Sequence, residues 1–421
     1  MLMNKTNNTK PFYSSTFPEV WGMKKLSELG YTYTGLSGKS KTDFGVGKPY
    51  IPYLNIFLNS TIKDGEFDFV KIESNENQSL VKNGDLFFTT SSETPEEVGM
   101  CSSYYGHEKE LYLNSFCFGF RPNNKNEISS TYITELFRSK IGRRIIYKLA
   151  QGATRYNLSK TALLKEVFPL PPLPEQKAIA HILSLMGTAI NKNNQLIAKK
   201  ELQKKWLMQN LLTGRKSIKG FSGEWKEANL GNLFIEIRNT NDGEDGHSIM
   251  TISSKLGLIS QEDKFDRVIA GESLKKYTQL KKGDFAYNKG NSKTYPMGCI
   301  YQLEEKMSAL VPFVYICFSP TDLIDPNFYK HWFLAHGLDR QLKKLITSGA
   351  RGDGLLNVNN HDFFKLKIPF PSKEEQTAIA QVLQAADIEI QLLKSKMEKL
   401  KEKKKWLMQV LLTGKVRVKI E

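Results

Sequence analysis

Three short segments carry residue types found in nucleotide or catalytic sites, but their spacing does not fit that chemistry. Residues 35–40 read Gly-Leu-Ser-Gly-Lys-Ser, as at the end of a phosphate-binding loop, yet such a loop needs glycine where Tyr33 stands. Phe44-Gly-Val-Gly47 is like a methyltransferase glycine turn but has no strand–helix–strand context or Asn-Pro-Pro-aromatic motif. His331 and His336 lie five apart, off the helical face that a metal pair needs. We therefore predict that this chain is not an enzyme, with no catalytic residue, metal site or cofactor of its own.

A second set of polar residues has the chemistry of nucleic-acid contacts. Arg and Lys contact guanine edges, Asn and Gln contact adenine, and Ser and Thr contact phosphates or bases. Such residues cluster in glycine-rich loops and at strand exits, where the alternative is an ordinary solvated loop. The candidate DNA-binding residues are Lys39, Lys41, Lys48, Ser91, Ser92, Thr154, Arg155, Tyr156, Asn157, Lys255, Asn288, Lys289, Asn291, Ser292, Lys293, Arg351 and Asn357.

The net charge of +16 predicts an anionic partner, which is nucleic acid, an acidic protein or a membrane surface. The charge is unevenly placed. Residues 174–220 carry +7 and residues 371–421 carry +4, so the two long remaining segments are nearly neutral. A reader of base edges needs few cations of its own, which agrees with neutral segments that bear the candidate loops.

A repeat at an offset of 200 residues organises the chain. Pro-Leu-Pro-Pro-Leu-Pro-Glu-Gln at 169–176 matches Pro-Phe-Pro-Ser-Lys-Glu-Glu-Gln at 369–376. Lys-Lys-Trp-Leu-Met-Gln at 204–209 recurs at 404–409, and Leu-Leu-Thr-Gly at 211–214 recurs at 411–414. Repeats of this kind indicate a duplicated structural unit. The chain is thus a variable body, a proline turn and a long helix, followed by the same three parts again.

Each proline turn is followed by a predicted long helix with a heptad pattern. Proline ends the preceding structure, and the glutamate after Pro174 suits a helix N-terminus. Two helices with matching apolar seams are expected to pair as an antiparallel coiled coil, although a lone amphipathic helix against a body is the alternative. The predicted helix-pairing residues are Ile179, Leu183, Met186, Ile190, Ile197, Leu207, Leu211, Ile379, Leu383, Ile390, Leu393, Met397, Leu400, Leu407 and Leu411.

The two bodies are predicted to be mixed α/β (α+β) domains related by a pseudo-two-fold repeat. Short apolar runs such as 53–58, 112–120, 285–288 and 313–318 have the composition of strands, and one late helix is expected in each body, over about 129–150 and 326–347. The predicted segments are a disordered tail at 1–10, a first body at 11–173, a helix at 174–214, a second body at 215–370 and a helix at 371–421.

The four cysteines form no zinc spacing, and we expect buried free thiols in a reducing, cytoplasmic compartment. The chain has no apolar run of membrane-spanning length.

The duplicated proline turn before a Glu-Gln helix start, and the two helices ending in Lys-Lys-Trp-Leu-Met-Gln-x-Leu-Leu-Thr-Gly, resemble the specificity subunits of type I restriction-modification systems. The resemblance covers essentially the whole chain. It implies that each body is a target recognition domain reading one half of a bipartite double-stranded DNA sequence. It also implies that the helices set the spacer and dock two methyltransferase subunits, joined by two restriction-translocase subunits. Adenosylmethionine, ATP and Mg²⁺ would then belong to the partners.

Two other functions stay open on the sequence: a free-standing DNA-binding regulator, against which the absence of a recognisable helix-turn-helix counts, and a nuclease of unrecognised type. The basic helix faces have three open partners, which are DNA, an acidic methyltransferase surface and solvent.

Overall fold

A computed structural model describes residues 2–3, 9–13, 15–241, 243, 247–254, 256–262, 271–290, 295–346 and 356–419. The chain divides into two compact units. The first contains Met1–Asn194 and Ser395–Glu421, and the second contains Gln195–Lys394. Both boundaries fall inside long helices, so each unit includes part of each helix. The predicted segments instead treated each helix as separate from the bodies.

The first unit holds strands β1–β16 and β27, and helices α1–α5 with the first part of α6. The strands are Leu2–Met3, Thr9–Phe12, Ser15–Pro18, Gly22–Lys25, Gly30–Thr34, Phe44–Ile51, Thr61–Ile62, Asp68–Val70, Leu86–Thr89, Ser91–Ser92, Cys101–Tyr104, Tyr112–Leu113, Cys117–Pro122, Ala150–Gln151, Tyr156–Leu158 and Val167–Leu170 (β1–β16), with Arg417–Val418 (β27). The helices are Leu26–Leu29, Tyr53–Leu58, Ser130–Arg138, Lys140–Leu149, Lys160–Lys165 and Leu173–Leu211 (α1–α6), with a 3₁₀ turn at Lys41–Asp43.

The second unit holds strands β17–β26, helices α7–α10 and the first part of a second long helix, α11. The strands are Lys226–Asn229, Phe234–Glu236, Ser248–Ser253, Gly257–Ser260, Thr278–Lys281, Phe285–Asn288, Cys299–Gln302, Ser308–Val311, Ile316–Pro320 and Lys367–Phe370 (β17–β26). The helices are Leu230–Leu233, Pro326–Leu334, Asp339–Leu345, Asn360–Phe364 and Lys373–Leu411 (α7–α11), with a 3₁₀ turn at Gly271–Lys276.

The main sheets of the two bodies have the same strand order. In the first unit the order is β5-β13-β9-β11-β7, and in the second it is β18-β25-β22-β23. The first four strands correspond one to one, and the pairs they form in each sheet are antiparallel. The mixed α/β class and the internal repeat are therefore confirmed in the fold itself.

The same turn begins the central strand of each sheet. Asp85 Oδ2 accepts the backbone N–H of Lys82 at 2.8 Å, and Asp284 Oδ2 accepts that of Lys281 at 2.7 Å. An aspartate that bonds its own backbone in this way favours the turn, and glycine supplies the positive φ before it. The repeated Lys-x-Gly-Asp motif is therefore explained by a turn that the two bodies share.

The Glu-Gln pair that follows each proline turn also has a structural reason. Gln176 is fully buried, where its Oε1 accepts the N–H of Ser129 at 2.9 Å and its Nε2 donates to Pro171 O at 2.9 Å. Gln376 makes the same two bonds, with Asp325 N at 2.8 Å and Pro371 O at 2.9 Å. Each glutamine thus ties the proline turn to the start of the late helix of its body.

The two long helices pack against each other in antiparallel direction within each unit. In the first unit, Ile179 and Leu183 at the start of α6 share a core with Leu407 and Leu411 at the end of α11. The second unit repeats this with the helix roles exchanged. There Lys200 pairs with Glu389 at 2.8 Å, and Glu201 pairs with Lys394 at 2.7 Å. Knobs-into-holes coiled-coil packing stays a prediction.

All fifteen predicted helix-pairing residues are buried or half-buried. Asn193, at a seam position, is also buried. Each helix has 39 residues, which at 1.5 Å per residue corresponds to about 58 Å.

The long helices end at Leu211 and Leu411, and a glycine follows three residues after each end. Gly214 and Gly414 adopt φ values of +67° and +66°, in the left-handed region that favours glycine. A Cβ on Gly214 would lie 3.4 Å from Trp225, and one on Gly414 would lie 2.4 Å from Pro18. The glycine therefore lets the helix end close against the first residues of the adjacent body.

The N-terminus differs from the expected disordered tail at the residues that the structure describes. Leu2–Met3 pairs with Arg417–Val418, and Thr9–Phe12 pairs with Ser15–Pro18 in antiparallel direction. The C-terminal strand also carries a buried ion pair, in which Arg417 Nη2 donates to Glu175 Oε2 at 2.7 Å. The Glu175 carboxylate also accepts from the indole N–H of Trp21 at 3.2 Å.

Substitution Arg417→Ala is expected to destabilise the protein by about 3 kcal/mol, because it leaves the buried Glu175 carboxylate without its cation. Thermal or urea unfolding measures the change. The matched control is Arg238→Ala, which removes an exposed pair with Glu236 and should cost less than about 1 kcal/mol. Equal losses in the two variants would contradict the prediction.

Several secondary-structure expectations were wrong in detail. The run Tyr53–Leu58 is helix α2 and not a strand. The run 112–120 is divided between β12 and β13, and 313–318 becomes strand only from Ile316. The late helix of each body is two helices, and in the first body the break occurs at Ser139, whose hydroxyl caps α4 by accepting from Gly142 N.

The four cysteines are buried free thiols, as predicted. Burial raises the pKa of Cys101 and of Cys317 to about 12, so both stay protonated. Within the described ranges, no three His, Cys, Asp or Glu side chains come together to hold a metal ion. Among these residues, no helix combines the length and apolarity needed to cross a membrane.

Candidate nucleic-acid interface

In the first unit, one small sheet brings together four of the predicted DNA-binding residues. Strand β10 pairs with β15 so that Ser91 lies opposite Asn157 and Ser92 lies opposite Tyr156. The N–H of Leu158 adds a bond to Thr90 O at 2.9 Å. Residues more than 60 positions apart in the sequence therefore share one edge of the body.

An open cavity of about 390 Å³ lies beside this sheet. Ser91, Ser92 and Arg155 line it together with Tyr53 and Phe57 of α2. The two aromatic rings stack with centroids 6.0 Å apart, and the Tyr53 hydroxyl donates to Ser91 O at 2.9 Å. Burial raises the pKa of Tyr53, so its hydroxyl remains a donor.

The rim of the cavity adds an aromatic ring and a carboxylate. Phe116 is 58% exposed, and the Ser92 hydroxyl donates to Glu97 Oε2 at 3.3 Å. Hydroxyl, guanidinium and carboxylate groups together can contact the edges of all four base pairs, while exposed rings contact thymine methyl groups or unstacked bases. This surface therefore has groups that could contact base edges, and among the lining residues Arg155 is the one cation in the described chain.

Sequence reasoning missed Tyr53, Phe57 and Phe116. The first two lie in the run 53–58, for which the apolar composition predicts a strand. Pro52 just before the run was the available signal, since proline is well tolerated at the start of a helix. Phe116 follows Asn114-Ser115, a turn-forming pair, but nothing in the local sequence indicates that its ring is exposed beside this sheet.

In the second unit, the corresponding two loops also meet. The N–H of Leu356 donates to Lys289 O at 2.9 Å, and Lys289 Nζ donates to Val358 O at 3.3 Å. Asn288 Oδ1 accepts the N–H of Gly290 at 2.9 Å, and Asn357 is exposed between two buried residues. Asn357 lies 200 positions after Asn157, so each body presents an exposed asparagine from the segment that follows its late helices.

The predicted lysines of the first body lie in another part of the unit. Lys39 is nearly buried in an ion pair with Glu76, and Lys48 in β6 pairs with Glu110. Lys41 is exposed in the 3₁₀ turn, and Thr154 is exposed in the turn before β15. Lys39 therefore fixes its own loop, and its role as a DNA contact has no support from its position.

Five of the predicted residues lie outside the described ranges: Lys255, Asn291, Ser292, Lys293 and Arg351.

Comparison with known proteins supplies the family. The model of the type I restriction modification DNA specificity domain matches residues 18–202 and 270–402, which is more than half of the chain and one match for each copy of the repeat. This chain belongs to that family. The resemblance inferred from the proline turns and the paired helix ends is thus confirmed.

Alignments of this chain with other members of the family cover most of its length. It is 27% identical to the putative type I restriction enzyme MjaX specificity subunit of Methanocaldococcus jannaschii, over 99% of this chain and 98% of that protein. It is 23% identical to the type I restriction enzyme EcoKI specificity subunit of Escherichia coli K12, over 86% of this chain and 81% of that protein.

Solved structures share the fold. The S subunit of a type I restriction-modification system from M. genitalium superposes with a TM-score of 0.56 at 13% identity, covering 97% of this chain and 99% of that one. The HsdS subunit from Thermoanaerobacter tengcongensis gives a TM-score of 0.50 at 17% identity, with coverage of 96% and 99%.

Proposed function

We propose that this chain is the subunit that gives a type I restriction-modification complex its DNA sequence specificity. Each body reads one half of a bipartite double-stranded target. The paired long helices hold the two half-sites at a defined spacing and dock two methyltransferase subunits, and two restriction-translocase subunits complete the complex. The chain makes and breaks no bonds itself, and it acts in the cytoplasm where the DNA is.

The observation that carries the proposal is the meeting of two loops at one edge of each body. The bodies have the same main-sheet order, which provides the same scaffold twice. Apart from the shared Asn157 and Asn357, the loops on that scaffold differ: Ser91, Ser92 and Arg155 in the first, Asn288 and Lys289 in the second. Equal scaffolds with unlike recognition side chains suit a target whose two halves have different sequences.

The docking role rests on two tryptophans. Trp206 and Trp406 lie at the same place in the two copies of the repeat and are 48% and 51% exposed. Internal packing does not account for keeping a large apolar side chain at an exposed position in both copies. Exposed tryptophans are favoured anchors of protein interfaces. A partner that binds twice, once on each copy, accounts for both.

The chemistry of methylation and cleavage belongs to the partners under this proposal. Adenosylmethionine, ATP and Mg²⁺ would bind to the methyltransferase and translocase subunits. What this chain supplies is position, because it decides which base pairs come within reach of the partner's active site.

The variants Asn157→Ala and Asn357→Ala test the reading function. Each should relax sequence preference in one half of the target only. Discrimination against the wrong base at one position should fall by about 10- to 100-fold, which is the usual value of a bidentate contact. Mapping of methylated adenines in cells that express the complex measures the effect. A change in both halves from one substitution, or no sequence preference in the unaltered complex, would contradict the proposal.

The double variant Trp206→Ala/Trp406→Ala tests the docking function. Loss of an interface tryptophan costs about 2 kcal/mol or more, so each site should lose about 30-fold in affinity for the methyltransferase, measured by co-purification and titration. The control is Leu202→Ala, an exposed apolar residue of the same helix whose repeat partner is Glu402. Stability should be unchanged in all variants. Full assembly of the double variant would disprove this docking site.

A further inference from the structure

A strongly basic cavity of about 770 Å³ opens in the first unit, apart from the candidate interface. Its walls come from the end of α2, the junction of α3 and α4, and the parts of both long helices that belong to this unit. Eight of its lining residues are lysine or arginine, and Glu135 is the one carboxylate among the lining residues in the described chain. This concentration of charge is unlike the nearly neutral body around it.

Two arginines in the wall have only neutral oxygen atoms as their described partners. Arg138 donates to the carbonyls of Ile56 at 2.6 Å and Asn59 at 2.7 Å. Arg143 donates to Glu96 O at 2.8 Å. Desolvation lowers the pKa of both guanidinium groups, and in Arg143 the nearby Arg138 charge adds to this and brings the pKa to about 10. Both stay positive at neutral pH, so the wall holds positive charge that carbonyls do not neutralise.

Glu135 offsets only one of the eight cations. It is 3% exposed, and its Oε1 accepts from Lys404 Nζ at 3.1 Å. Lys405 and Lys415 are exposed at the side of the cavity formed by the second long helix. The cavity thus combines a fixed positive wall with flexible lysines, which is the usual composition of a phosphate-binding surface.

The second unit repeats this charge only in part, because a cation is kept at four of the eight positions, as Arg340, Lys204, Lys205 and Arg215. Helices α3 and α8 each have nine residues, lie 196 positions apart and begin at the same bond from Gln176 or Gln376. At that offset, Leu334 replaces Arg138 and Asp339 replaces Arg143. On the long helices, at an offset of 200, Glu201 replaces Lys401 and Asp387 replaces Gly187.

The lysine at the same heptad position of the two long helices also differs in its ion-pair partner. Lys404 takes its counter-ion from the body, at Glu135, whereas Lys204 takes it from the long helix, at Asp387. His331 stands at the position of Glu135, and burial lowers its pKa to about 4, so it is neutral.

A partner that binds both copies equally would need the same surface twice, as the tryptophans provide. The charge of the cavity positions differs between the copies, so the cavity suits a partner that is itself unlike at its two ends, and a DNA target with two different half-sites is such a partner. Helix α2 links the two places, because Tyr53 and Phe57 line the candidate interface while Leu58 lines the cavity. Six residues of helix span about 9 Å, which is about two to three nucleotide steps along one strand.

We propose that this cavity binds backbone phosphates of the DNA beside the half-site that the first body reads. The proposal rests on the proposed function and adds to it a contact that is independent of sequence. It anchors one end of the target and leaves the choice of bases to the loops.

The test compares two double variants with the same change of charge, in the complex of this chain with its methyltransferase subunits. Lys405→Glu/Lys415→Glu alters the cavity, and Lys205→Glu/Arg215→Glu alters the equivalent positions 200 residues earlier. Binding to a duplex with the methylated target and to a duplex of random sequence is measured at several salt concentrations.

The cavity variant should lose about 10-fold or more in affinity for both duplexes. Its slope of log K against log salt should become shallower by about 2, since each lost phosphate contact removes about 0.9. The methylated sequence should stay the same, and the control should change the slope by less than about 0.5. The neutral pair Lys405→Gln/Lys415→Gln should give the same change of slope, and it replaces the glutamate pair if that pair does not assemble.

Equal slopes in the cavity variant and the control would overturn the proposal. Loss of methyltransferase with an unchanged slope would assign the cavity to an acidic protein partner instead. Failure of the proposed function is a separate result, because it would appear as a lack of sequence preference in the unaltered complex.

Discussion

Exchange of the first body, residues 11–168, for that of another specificity subunit should change one half of the methylated sequence and leave the other half as it was. Each wrong base pair costs about 1–3 kcal/mol, so a target that keeps the old half-site and differs from the new one at three pairs should be methylated at least about 100-fold less well. Mapping of methylated adenines before and after the exchange measures both halves at once. A change in the half-site read by the second body would contradict the proposal that each body reads one half-site independently.

The exchange succeeds only if the incoming body keeps the surface that packs on the helices. Trp21 and Phe168 are fully buried in the same core as Ile179 and Leu407 of the long helices. A smaller side chain at either position would lower the free energy of unfolding by about 3–5 kcal/mol. A loss of methylation could then reflect a loss of folding and not a loss of recognition. The proper control is therefore an exchange that retains the original residues at these two body positions.

Insertion of one heptad after Ile197 and another after the facing Leu393 should lengthen the spacer without changing either half-site. Seven residues add about 10 Å of helix, which equals about three base pairs at 3.4 Å each. The matching positions follow from the ion pairs of Lys200 with Glu389 and of Glu201 with Lys394. Methylation mapping gives the new spacing, and co-purification shows whether the partners still assemble.

A four-residue insertion at the same two places is the control for this prediction. It shifts the apolar seam out of phase, because the heptad pattern repeats every seven residues. We expect that variant to lose stability and assembly together. If the heptad insertion altered half-site preference and left the spacer unchanged, the helices would not set the spacing.

Much of the fold was accessible from the sequence because of the repeat. Two copies at a constant offset show which features the architecture requires, since the copies share Gln176 and Gln376, and Gly214 and Gly414, while the bodies around them differ. Each of these residues has a local reason for its identity, such as a buried hydrogen bond or a positive φ. Local reasons of this kind are what sequence patterns report.

The candidate site was harder to predict because its parts are far apart in the sequence. Ser91 and Asn157 were both selected, but only strand pairing places them opposite each other. Lys39 was selected for its charge, yet Glu76 neutralises it. A glycine-rich segment with a lysine has the same composition whether the ammonium faces DNA or a carboxylate of its own loop.

The order of residues was sufficient to predict the duplication, the long helices that begin after the proline turns, and the family, since all three depend on spacing along the chain. Folding in three dimensions settled the rest: that Tyr53 and Phe57 of a short helix lie beside Ser91, and that eight cations from distant segments line one cavity of the first unit. Charge and aromatic rings act through space over a few ångströms. Their neighbours are therefore set by the packing of strands and helices and not by adjacency in sequence.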